Sequence, residues 1–111
     1  MKIAVTTQGT NLNSPLAPRF GRCPYFIIYD EKGPFEVVEN SGAPVGGGAG
    51  LRAAELLSEQ GVEVVLTGSV GPHAQRGLET AGIQVYIQTG GTVEESIAAY
   101  IEDKGSCELK G

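Results

Sequence analysis

Gly61-Val62-Glu63-Val64-Val65-Leu66-Thr67-Gly68-Ser69-Val70-Gly71-Pro72 is the stretch on which the fold turns. Val62–Thr67 is strongly apolar and β-branched, the pattern of a central strand buried on both faces. Gly68–Gly71 reads as a turn. Pro72 suits the first position of a helix, where its missing N–H costs nothing. Strand, turn and helix in this order make part of a crossover between parallel strands.

Toward the C-terminus, the helix from Pro72 to Ala81 puts Ala74, Leu78 and Ala81 on one face and stops at Gly82. Ile83–Ile87 is the next strand. Thr92-Val93-Glu94-Glu95 is a capping box that opens a helix with Val93, Ile97 and Ile101 turned inward. The domain is expected over residues 1–103, with 104–111 as a flexible C-terminal tail. Toward the N-terminus, Leu51–Gln60 is a helix with Leu51, Ala54 and Leu57 on one face, stopped by Gly61. Lys2–Thr6, Tyr25–Tyr29 and Phe35–Glu39 read as strands, the last two joined by the turn Glu31–Pro34. Two long loops remain, Gln8–Arg22 and Asn40–Gly50. Loops of that length in a compact domain are functional or mobile.

The order is βββαβαβα. Three strands in an antiparallel meander and two reached by right-handed crossovers give a five-stranded mixed sheet, order 3-2-1-4-5, with strand 2 antiparallel and helices on its faces. At fold level this is an α/β, ribonuclease-H-like arrangement. It gathers the loops after strands 1, 3, 4 and 5 at one end of the sheet. Helices starting near Gly50, Pro72 and Thr92 present their N-termini there, and that end favours an anion.

Pro18-Arg19-Phe20-Gly21-Arg22-Cys23-Pro24 enters strand 2 from the same end. Arg22 beside Cys23 is expected to lower the thiol pKa and favour the metal-binding thiolate. One soft ligand with two cations, Arg19 and Arg22, suits an anionic metal–sulfur species. Gly47, Gly48 and Gly50, with Gly68 and Gly71, let a ligand approach the backbone and offer it N–H groups. His73 is a second candidate ligand. The plain alternative is a core cysteine with two surface arginines. Cys107 falls at the opposite end of the sheet and makes no CxxC with Cys23, so no zinc spacing arises.

Composition excludes other classes. A net charge of −5 argues against nucleic-acid binding. No apolar run approaches the ~20 residues of a membrane span, and the N-terminus reads as a strand, so a cytoplasmic protein is expected. Ile3–Thr7 carries no carboxylate, which argues against a two-metal nuclease. No base is positioned for a cysteine nucleophile, so no enzyme activity is expected. A small-molecule or phosphate-binding module, or a protein-partner module without a cluster, stays open.

Phe20–Phe26, Gly47–Gly50, Leu66–Pro72, Ala81–Tyr86 and Thr92–Ile101, in this order, resemble the dinitrogenase iron–molybdenum cofactor biosynthesis family. The resemblance covers Met1 to about Tyr100. It implies a ribonuclease-H-like fold and non-catalytic binding of an iron–sulfur or iron–molybdenum–sulfur cluster, as in a nitrogenase accessory factor. It also implies cluster donor and acceptor proteins as partners. One cysteine and one histidine are few ligands, so a homodimer, a labile cluster, or binding through charge and N–H···S contacts would reconcile the ligand count.

Overall fold

The computed structural model describes residues 2–30, 33–40, 49–88 and 91–110, with the backbone alone for 49–51 and 103–110. The elements run β1 (Lys2–Thr7), β2 (Tyr25–Asp30), β3 (Glu36–Glu39), α1 (Ala49–Glu59), β4 (Val64–Thr67), α2 (Pro72–Thr80), β5 (Gln84–Ile87) and α3 (Val93–Lys110). The five-stranded sheet has the order β3-β2-β1-β4-β5, as the sequence leads one to expect. β2 is antiparallel to β1 and β3, while β1, β4 and β5 are mutually parallel.

Alternation along the strands splits the core into two layers. Ala4, Phe26, Ile28 and Val65 pack with Ala53, Ala54 and Leu57 of α1 and Ala74 and Leu78 of α2. Ile3, Val5, Ile27, Val64 and Leu66 face the other way, onto Val93, Ile97 and Tyr100 of α3. β4 is buried along its whole length. A strand covered by helices on both faces must be apolar throughout, which is why its pattern shows no alternation.

Several details differ from the sequence reading. Val62 and Ile83 belong to helix caps rather than to strands. Gly61 and Gly82 both take φ of +76°. Beyond them, Val62 N–H reaches back to Leu57 C=O at 3.1 Å, and Ile83 N–H to Leu78 C=O at 2.9 Å. Gly61 and Gly82 N–H close the inner bonds to Ser58 and Glu79. This is one helix-ending motif used twice, with the apolar residue after each glycine buried in the core.

A further difference lies in α3. Ile101 is 46% exposed, and Tyr100 (6%) takes the inward place beside Val93 and Ile97. Seven residues make about two turns, so position 100 stands over 93, while 101 sits about 80° round the helix. Ala81, expected inward, is the exposed cap residue of α2. The α3 backbone stays helical to Lys110, through the segment read as a tail from Lys104.

The capping box forms as expected. Thr92 N–H donates to Glu95 Oε1 at 2.9 Å, and Glu95 N–H donates to Thr92 Oγ1 at 3.2 Å. Thr92→Ala should therefore cost about 1 kcal/mol of stability. Urea unfolding with an unchanged midpoint would show that this cap contributes nothing.

Candidate functional site

β1, β3, β4 and β5 end on the same side of the sheet. Tyr25, which opens β2 there, pairs with both Thr7 and Glu39. The chain leaving β1 is strapped across this end. Gln8 N–H donates to Pro15 C=O, Leu16 N–H to Gly91 C=O, and Ala17 N–H to Thr6 C=O, all at 2.9–3.0 Å. Buried Thr6 Oγ1 sits 2.8 Å from Ala17 O and 2.9 Å from Thr67 Oγ1, tying the strap to β1 and β4.

Next comes a tight turn, Arg19–Arg22, closed by Arg22 N–H to Arg19 C=O at 3.3 Å. Gly21 holds φ of +89°, which its place in the turn favours in glycine. Phe20 points down into the core and meets Phe26 at 5.9 Å between centroids. Its N–H donates to Ser69 C=O at 3.0 Å, and Ser69 Oγ donates to Pro18 C=O at 2.9 Å.

This folding leaves a hollow of about 290 Å³ lined by Gln8, Ala17, Pro18, Arg19, Arg22, Cys23 and Pro24. It joins three of the residues singled out in the sequence: Arg19, Arg22 and Cys23. A larger groove, about 630 Å³, lies between α1 and α2. It has no thiol, and Glu55 and Glu59 against Arg76 leave it net acidic, so the chemistry of an anion site is not there.

Cys23 corrects one expectation. Arg22 does not lower its pKa. The thiol is 1% exposed, and burial pushes it from 9.0 up to about 11. Hydrogen bonds from the backbone at Gly21, Cys23 and Thr7 and from the Asn40 side chain pull the other way and lose. The arginines are exposed and reach water, so their charge is screened, whereas desolvation of the sulfur is not.

Asn40 is the residue that sequence reasoning missed. It is 4% exposed at the end of β3. Its Nδ2 donates to Gly21 C=O at 3.1 Å and Cys23 C=O at 2.9 Å, and lies 3.8 Å from Cys23 Sγ. It thus clamps the cysteine turn to the strand two places away from β1. Its buried Oδ1 has no hydrogen-bond partner among the described residues. The one signal available was an amide ending a strand just before a glycine-rich stretch.

Of the other candidates, those among the described residues do not line the hollow. Gly68 has a packing duty: a Cβ there would meet Pro18 O at 2.6 Å and Pro18 Cα at 2.8 Å. Gly71 is the N-cap of α2 with φ of −74°, and a Cβ on it would stand in open space. His73 is exposed in the first turn of α2 and does not line the hollow. Gly50 is the second residue of α1. Gly47 and Gly48 lie outside the described residues. Among the described residues, no three His, Cys, Asp or Glu side chains converge as a metal site.

The helix ends differ in what they offer. The N-terminus of α3 is closed to an anion: Val93 N–H donates to Ser14 C=O and Glu94 N–H to Leu12 C=O, and the capping box uses Thr92 and Glu95. The helix starting near Thr92 has its N-terminus at this end, as expected, but its first N–H groups are taken up within the chain. The α2 N-terminus has no side-chain cap.

The model of the dinitrogenase iron-molybdenum cofactor family matches residues 1–103. The chain belongs to that family. An uncharacterized protein of Methanocaldococcus jannaschii, MJ0580, is 32% identical over 108 residues, covering 94% of this chain and 88% of that one. The orange protein of Desulfovibrio gigas, solved in its apo form, is 36% identical with a TM-score of 0.89, covering 92% of this chain and 88% of the other. A Thermotoga protein provisionally named a NifB protein, of the DUF35 family, is 41% identical with a TM-score of 0.81, covering 91% and 87%. In this member of the cofactor family no helix among the described residues is long and apolar enough to cross a membrane.

Proposed function

We propose that this protein binds and carries an anionic metal–sulfur cluster of the iron–sulfur or iron–molybdenum type, without catalysing a reaction on it. The observation that carries the reading is the hollow that Arg19, Arg22 and Cys23 line together. The arginines supply positive charge for an anion, and Cys23 supplies one sulfur ligand. The groups already donating toward Cys23 Sγ would go on donating to a bound thiolate. One thiol cannot encase a cluster, so the fit is to cargo held at one point and by charge, and released to a partner. Family membership supports the cofactor class. The sheet order supports the ribonuclease-H-like assignment. The span of the family match supports a binding domain over residues 1–103. A cytoplasmic donor or acceptor of clusters is the partner this reading calls for, and a second copy of the chain would double the ligands.

The test is anaerobic reconstitution with ferrous iron and sulfide, with and without molybdate, reading the visible spectrum and bound metal. Wild type should load and Cys23→Ala should lose the charge-transfer bands. Arg19→Gln/Arg22→Gln should weaken loading and flatten its salt dependence, and exposed His73→Ala should load normally. A colourless wild type that binds inorganic phosphate in a competition assay would replace the cluster reading with an oxyanion site.

A further inference from the structure

The two edges of the sheet are unequal. β3 carries Glu36 and Glu39, both exposed, and charge on an edge strand discourages pairing with another chain. β5, Gln84-Val85-Tyr86-Ile87, carries no charge and no proline, and Ile87 is 52% exposed. Gln84 N–H donates to Glu63 C=O and Gln88 N–H to Thr67 C=O, both at 2.9 Å. In a parallel ladder this parity turns residues 84, 86 and 88 toward β4 and leaves Val85 and Ile87 with N–H and C=O directed outward. A groove of about 500 Å³ wraps this edge. Gln75 and Glu79 of α2 form one bank, and Tyr86 and Tyr100, stacked edge-to-face at 5.1 Å, form the other. Among the described residues, Glu79 is the one charged residue lining it.

We propose that the outer edge of β5 docks an extended segment of a partner protein that carries a lysine or arginine facing α2. The segment would add a sixth strand by bonding to the outward N–H and C=O groups of Val85 and Ile87. Its side chains alternate, so one bank receives the cation at Glu79 and the other receives an apolar residue over Tyr86 and Tyr100. Charge selects this occupant over a second copy of β5, a strand that carries no cation to meet Glu79. The site lies across β1 and β4 from the Cys23 hollow, so it stands or falls independently of cluster binding.

The experiment titrates the intact protein with a soluble peptide of alternating threonine and valine bearing one central lysine, following backbone amides by NMR. Val85 and Ile87 amides should shift and exchange with solvent at least about tenfold more slowly. The same peptide with glutamate for lysine should bind more weakly, and Glu79→Lys should reverse that preference. Ile87→Pro should abolish docking, because it removes an N–H that the sheet does not use. If the proline variant fails to fold, the Glu79→Lys reversal decides. Shifts confined to other elements, or indifference to the peptide's charge, would overturn the proposal. So would slow exchange at Val85 and Ile87 that depends on protein concentration without peptide, which would assign the edge to a second copy.

Discussion

Gly68→Ala should lower the unfolding free energy by about 1–3 kcal/mol and disturb the Cys23 hollow. The cause is backbone against backbone. The new Cβ would stand 2.6 Å from Pro18 O and 2.8 Å from Pro18 Cα. No side chain can swing away to relieve that approach, so the Pro18–Phe20 segment must shift. It is held there by Ser69, through Oγ–H to Pro18 C=O and through its C=O to Phe20 N–H. Pro18 and Arg19 line the hollow, so the strain reaches the site directly. Gly71→Ala is the matched control: its Cβ meets nothing, and φ of −74° suits any residue. There the weaker N-cap and the stiffer unfolded chain oppose each other and should cancel to within about 0.5 kcal/mol. Urea unfolding of both variants, with metal loading of each, separates the roles. Equal stability of Gly68→Ala and wild type would remove the packing role of this glycine.

That contrast shows what the sequence could and could not say. The strand order was legible because β4 and β5 each follow a helix and each apolar run has a clear length. The stop signals Gly61 and Gly82 were legible as well. What they do to the next residue was not: a β-branched valine or isoleucine after a glycine looks like the first strand residue, yet Val62 and Ile83 cap the helices before them. The grouping of Arg19, Arg22 and Cys23 was legible because they sit within one short turn. Asn40 was not, because its bonds to Gly21 and Cys23 span 19 and 17 residues. The closed N-terminus of α3 was equally out of reach, since Leu12 and Ser14 close it from far along the chain. The charge on the thiol was misjudged because adjacency in sequence reveals the cation but not the burial.

Burial makes the second large expectation. Wild type should lose stability relative to Cys23→Ala as pH rises from about 9 to about 11. The unfolded thiol titrates near 9.0 and the folded one near 11. Between these values the unfolded chain has released the proton and the native protein still holds it. The unfolded state then binds fewer protons, so stability falls with pH. The contribution is whole below pH 9 and is lost as pH climbs through 11, a loss on the order of 2–3 kcal/mol. Every other group is common to both proteins and cancels in the difference. Urea unfolding at intervals from pH 8 to pH 11 measures it, and parallel curves for the two proteins would show that burial does not govern this thiol. The same penalty bears on cluster binding. At neutral pH a thiol with pKa of about 11 is thiolate in only about one molecule in 10⁴. The arginines do not activate it beforehand, so on the proposed function an arriving metal would have to displace the proton itself. A buried, protonated sulfur is poorly reactive toward alkylating agents and oxidants, and coordination to a cationic metal offsets the desolvation that holds the proton on. On the proposed function, the burial that shields this sulfur is the same burial that coordination to a metal would offset.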